Sequence, residues 1–191
     1  MNASAFHIAH QEHLQVFSAL EALAPQIEQI ADALAASLQA GRKIMWCGNG
    51  GSAADAQHLA AELTGRFVNN RIPLAGLALA TDASALTCIG NDFGFDAVFE
   101  RQVMALGQGG DCLIAISTSG QSPNVVRAVE AARAKGILTV GLTGRDGGRL
   151  AGLCDHCLVV PSATTARIQE AHIFIGHLWC TLIERALGVG Q

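Results

Sequence analysis

Four hydroxyl side chains crowd into the run Ser117-Thr118-Ser119-Gly120-Gln121-Ser122, directly ahead of Pro123. Proline is favoured in the first turn of a helix, so the run sets hydroxyls and free backbone N–H groups together at a helix N-terminus, which is an anion site. A helix cap would use one serine and leave three hydroxyls unexplained. No Lys or Arg stands in the run. It therefore lacks the lysine of a nucleotide-hydrolysing P-loop and suits a phosphomonoester held by neutral donors and the helix dipole.

A second loop, Gly48-Asn49-Gly50-Gly51-Ser52-Ala53, has Ala where a dinucleotide fingerprint needs its third glycine, so that function is disfavoured. Its glycines allow the backbone close to a small ligand, with Asn49 offering an amide and Ser52 a helix cap. A tight strand-to-helix turn without a ligand is the other reading. His58 and Glu62, four residues apart, project from one helix face and can share a metal or a substrate, or stay a solvated pair. Gln169 and His177 lie two turns apart and roughly 80° around a largely apolar helix. The second polar group on nearly the same side sets this histidine apart from an ordinary core one.

These residues need elements to hold them. After Gly41 the chain alternates short apolar runs with helical patterns, the signature of βαβ units and a parallel sheet. Strands are expected at 43–47, 76–79, 111–116, 138–142 and 157–160, and helices at 52–63, 84–90, 95–106, 123–135, 147–153 and 165–187. The expected fold is α/β, a doubly wound five-stranded parallel sheet flanked by helices, with one domain over 1–191. Helices at 4–23 and 25–39 precede it as an antiparallel hairpin spanning 1–40, and 41–191 form the core with its long last helix. Ligands of such sheets bind beyond the carboxyl ends of the strands, where both loops fall.

Half of the 191 residues are apolar, 15% are charged and the net charge is −4, without a basic run. No nucleic-acid or membrane partner is expected, and the low charge points to self-association. The start has no basic region followed by an apolar stretch, so the expected compartment is the cytoplasm. Cys47, Cys88, Cys112 and Cys180 sit inside apolar segments as reduced thiols, while Cys154 and Cys157 form a lone pair, half of what a zinc site needs. His7, His10 and His13 recur every third residue and read as a solvated helix face.

Taken together, Gly48-Asn49-Gly50-Gly51-Ser52, His58 with Glu62, Asn91-Asp92-Phe93-Gly94, Ser117-Thr118-Ser119-Gly120 and Arg167-Ile168-Gln169-Glu170 followed by His177 resemble the phosphoheptose isomerases, part of the sugar isomerase (SIS) domain group. The serine loop alone indicates only the broad group; Glu62 with His177 points to the isomerase. The resemblance implies conversion of sedoheptulose 7-phosphate into D-glycero-D-manno-heptose 7-phosphate for the heptose of bacterial lipopolysaccharide, by a homotetramer with active sites between subunits. It implies substrate contacts from Asn49, Gly50, Gly51, Ser52, Glu62, Asn91, Asp92, Ser117, Thr118, Ser119, Ser122 and Gln169. It also implies a zinc ion on His58, Glu62, Gln169 and His177, against which a metal-free acid/base site stands as the alternative.

Such an isomerisation moves a proton between adjacent carbons through an enediol, and a carboxylate with an imidazole can do this near neutral pH. Glu62 is expected as base and His177 as acid. Relatives often carry an acid just before Arg-Ile-Gln-Glu, whereas Ser162-Ala163-Thr164-Thr165-Ala166 has none, leaving Thr164 or Thr165 to bond a hydroxyl. The rivals are a non-catalytic relative binding the replication initiator DnaA, which needs neither acid nor base, and an isomerase of a pentose or hexose phosphate.

Overall fold

Strands Ile44–Gly48 (β1) and Cys112–Ile116 (β3) are buried at every position, as a parallel sheet covered on both faces requires. The computed structural model describes residues 4–189. In chain order the other elements are α1 (Ala5–Ala19), α2 (Ala24–Gln39), α3 (Gly51–Thr64), β2 (Gly76–Ala78), α4 (Ala83–Phe93), α5 (Val98–Leu106), α6 (Pro123–Ala134), β4 (Leu138–Gly144), α7 (Gly148–Leu153), β5 (His156–Val160) and α8 (Thr165–Ala186). The sheet is parallel throughout, in the order β2-β1-β3-β4-β5. Strand order therefore reverses between β1 and β3, and the crevice beyond their carboxyl ends is where a ligand belongs. The doubly wound α/β fold expected from the sequence is present.

Alternate residues of each strand point to opposite faces. Ile44, Trp46, Ile114 and Ile116 join the core shared with α2, α3 and α8, while Met45, Cys47, Leu113 and Ala115 join that of α5 and α6.

The two N-terminal helices are present but join differently from a hairpin. A 3-10 turn, Leu20–Leu23, links them, and Ala19, Leu20, Leu23 and Ala24 all keep right-handed helical angles. Pro25 falls in the first turn of α2, where a missing N–H costs nothing, so nothing reverses the chain. The result is a bent helical arm laid along α8. Trp179 of α8 fastens it by donating its indole N–H to the carbonyl of Ile27 at 3.1 Å. His13, expected in solvent, instead stacks on Phe17 and lies 2.9 Å from the Glu170 carboxylate.

Helices α3 and α8 run side by side in the same direction. Gln169 lies against Gly51, Gly176 against Leu59, and His177 against His58, so the pairs advance in step along both helices. Gly176 makes this possible, because a Cβ there would overlap the Leu59 side chain. Gly176→Ala is therefore expected to push the two helices apart and destabilise the protein by about 1–3 kcal/mol, read as a lower urea midpoint. An unchanged midpoint would show that the contact can relax freely.

His172, fully buried on α8, sits with Nε2 3.0 Å from the Thr143 carbonyl of β4. Burial pushes its pKa down to about 4, only partly offset by that hydrogen bond. The unfolded imidazole keeps its ordinary value near 6.5, so between the two the unfolded chain binds a proton that the folded chain does not. Stability is whole above that ordinary value and falls as the pH drops towards about 4. His172→Gln, which keeps a donor but does not titrate, should flatten the stability curve over this window in denaturation series at stepped pH; an equally steep curve would assign the loss elsewhere.

Candidate active site

Three helices begin around one crevice at the strand-order reversal. Gly50 and Gly51 open α3, Ser122 stands at the N-cap of α6, and Thr165 begins α8; together with Asn49, Ser117 and Gln169 they line a cavity of about 320 Å³. Three helix N-termini aimed at one space supply N–H donors and positive potential without any formal charge.

Loop 117–122 is shaped by its own hydroxyls. Ser117 Oγ lies 3.0 Å from Ser122 Oγ and 3.5 Å from Ser119 Oγ, and Ser119 Oγ accepts the Gln121 N–H. Ser122 holds the cap position yet makes no side-chain cap bond, so its hydroxyl faces the cavity rather than the helix. Gly120 has φ +63° and lies so close to Gly147 that a Cβ would strike the Gly147 carbonyl. The backbone of the serine loop is thereby braced on the loop that follows β4.

The glycine loop differs in two respects from its sequence reading. Ser52 does not cap α3; Gly50 takes that position at φ +57°, and Ser52 is buried in the first turn. The amide of Asn49 is already paired edge to edge with that of Asn124, at 2.9 and 2.8 Å, leaving one N–H and one lone pair for a ligand. Asn124, buried, also accepts the Val125 N–H and so fixes the β1 loop to the β3 loop across the crevice. Sequence reasoning did not single out Asn124, although its place just after Ser122-Pro123 was a usable signal.

Further along the same helix pair lies a titratable cluster. His58 Nε2 is 3.1 Å from Glu62 Oε1 and 3.0 Å from His177 Nε2, and one ligand atom from each residue lies within 4.8 Å of the others. Phe67 stacks on the His177 ring, 5.4 Å between centroids. Burial, and then the neighbouring His58, hold His177 below the usual imidazole range against the pull of Glu62. Its neutral form is the one that ligates a metal or donates a single N–H. Two imidazoles and a carboxylate converging this closely form a donor set that zinc accepts, with a position left open.

Gln169 stands apart from this trio, its amide against Gly51 in the cavity wall and eight residues, roughly 12 Å of helix, before His177. Asn91 and Asp92 occupy the exposed last turn of α4, Asn91 donating to Asp92 at 2.7 Å, and do not line the cavity. Asp55 was missed. It belongs to the α3 stripe of Gly51, His58 and Glu62, its Oδ2 is buried without a partner, and burial raises its pKa against the lowering effect of His58.

Residues 10–144 match the SIS domain family. The phosphoheptose isomerase of Rhodospirillum rubrum is 58% identical over 86% of this chain and 87% of its own length. Phosphoheptose isomerase 1 of Campylobacter jejuni is 55% identical over 92% of this chain and 95% of its own. The solved phosphoheptose isomerase from Neisseria gonorrhoeae superposes with a TM-score of 0.90 at 47% identity, covering 94% of this chain and 97% of that one. The crevice, the hydroxyl loop and the His–Glu–His cluster thus stand in a chain that belongs to the phosphoheptose isomerase family of SIS domain proteins.

Proposed function

We propose that this chain is an aldose–ketose isomerase converting sedoheptulose 7-phosphate into D-glycero-D-manno-heptose 7-phosphate, the entry to heptose for bacterial lipopolysaccharide. The observation that carries it is the placement of an uncharged anion cradle and a proton-transfer cluster on one pair of parallel helices. Ser117, Thr118, Ser119 and Ser122 with the helix N-termini hold the phosphate, and Asn49, Gly50, Gly51, Ser52 and Gln169 bound the sugar. Gly51 and His58 are seven residues apart, roughly 10 Å of helix, so phosphate and reacting carbons must sit far apart. That separation favours a seven-carbon chain over a pentose or hexose. A protein that only bound another macromolecule would have no use for the cluster.

In the forward direction Glu62 takes a proton from C1 of the ketose and returns it to C2, by way of the 1,2-enediol. His177 passes a proton between the oxygens on C2 and C1, so no net proton is gained or lost. His58, Glu62 and His177 would hold zinc, which when bound supplies a Lewis acid for the carbonyl oxygen, while Gln169, expected from the sequence as a fourth ligand, stays at the cradle. Asp55 lies along α3 between Gly51 of the cradle and His58 of the cluster.

The proposed assembly is a homotetramer with its sites between subunits. Exposed apolar side chains, among them Phe6, Val68, Ile72, Phe95 and Met104, support it. So does α4, which buries none of its residues within the chain; on this reading Asn91 and Asp92, which it carries, contact a neighbour's substrate. The proposed compartment is the cytoplasm, which suits the six unpaired cysteines; no helix among the described residues is long and apolar enough to cross a membrane.

Incubation with sedoheptulose 7-phosphate in deuterated water tests substrate and chemistry together: label should enter the substrate carbons, faster than with five- or six-carbon ketose phosphates. Glu62→Gln should slow that exchange by about 10²–10⁴-fold while substrate still binds; wild-type exchange in the variant would remove Glu62 as base. Ser122→Ala should raise KM by about ten-fold with kcat nearly unchanged, since it removes one hydrogen bond to a charged group that is held equally before and during reaction. A fall in kcat at constant KM would instead put Ser122 in the chemical step.

A further inference from the structure

Arg71 lies in the segment between α3 and β2, and its side chain is only 1% exposed. Its guanidinium donates Nε–H to Glu184 Oε1 at 2.6 Å, Nη1–H to the carbonyls of Leu63 and Ile72, and Nη2–H to the carbonyl of Glu62 at 2.6 Å. Glu184 is itself buried on α8. The carbonyls of Glu62 and Leu63 belong to the last turn of α3, where a helix leaves its acceptors unpaired and where a cation opposes the dipole favourably. Glu184 follows His177 by seven residues and therefore shares its face of α8.

One buried cation thus grips the backbone of the residue proposed as base and, through Glu184, the helix that carries the proposed acid. We infer that Arg71 and Glu184 are positioning residues, a clamp that sets Glu62 against His177. Burying a charge pair is a poor way to gain stability, since apolar residues of similar size often do as well or better. What a forked guanidinium adds is direction: its donors fix three carbonyls and a carboxylate at once, as a lysine cannot. The inference rests on the reading of Glu62 and His177 as the proton-transfer pair.

The double variant Arg71→Met, Glu184→Leu removes both charges together and leaves neither unpaired. It is expected to fold, by circular dichroism, and to bind inorganic phosphate as the wild type does. Its kcat should fall by about ten-fold or more with KM unchanged, and zinc affinity measured by competition with a chelating dye should weaken by about ten-fold. Wild-type kcat and zinc affinity in a folded double variant would overturn the clamp, as would a parallel loss of phosphate affinity, which marks general disorder of the fold. Should the double variant not fold, Arg71→Lys, which keeps the charge but not the fork, should show the same split at smaller size, and wild-type behaviour there overturns the clamp equally. A wild-type protein that binds zinc yet turns over no ketose phosphate would defeat the isomerase reading, and the zinc comparison alone would then decide the clamp.

Discussion

Leu59 of α3 enters the space that a side chain on residue 176 of α8 would fill, and the geometry of the site follows from that contact. Two helices this close cannot slide or rotate independently, because interiors are packed as tightly as organic crystals. The contact also fixes everything in step with it: Gln169 beside Gly51 at the cradle, His177 beside His58 at the cluster. Both helices lie on the sheet face that carries Ile44, Trp46, Ile114 and Ile116, and Trp179 ties the same face to α2. The base and acid proposed here are thus mid-helix residues held by a rigid core, rather than residues of a loop.

The cradle achieves its own rigidity differently. Loops 48–51 and 117–122 come from strands adjacent in the sheet but distant in sequence, and the Asn49–Asn124 amide pair ties the first loop to the first turn of α6, immediately after the second. Gly120 against Gly147 adds a third loop behind the second. With the hydroxyls already gathered and helix N-termini converging, the donors need only turn their O–H groups, without a movement of the backbone, to meet the phosphate proposed here, which is how neutral groups can hold a dianion usefully.

Local signals in the sequence were sufficient for most of this. Apolar runs ending in Gly or Ser located all five strands, and the expected positions for β1 and β3 differ from the observed ones by a residue at the ends. The four hydroxyls of 117–122 and the His58–Glu62 spacing were legible because each lies within one element. What stayed hidden depends on partners across space. Ser52 looks like a cap because it is the first polar residue after the glycines, yet Gly50 with positive φ starts the helix earlier. The continuous helical angles at 19–24 could not be separated from a hairpin without knowing that α8 receives both helices. Gly176 in an apolar helix reads as a weak point until Leu59 is seen against it, and Arg71, in a polar loop, gives no hint that it ends up buried.

The lowered pKa of His177 bears on how proton transfer and metal binding share one cluster. A neutral imidazole is what a zinc ion needs, and it is also a competent hydrogen-bond donor towards an oxygen of an enediol. Its Nε2 faces His58 Nε2 at 3.0 Å, so without a cation at least one of the two nitrogens must carry the shared proton. For these residues to hold a cation, that proton would have to leave, so that both imidazole lone pairs and a Glu62 oxygen could act as donors. The same three residues therefore serve either as a hydrogen-bonded acid–base group or as a donor set for a cation, at the spacing that α3 and α8 impose. Proton transfer through Glu62 is compatible with either, because a carboxylate has a second oxygen to offer the substrate.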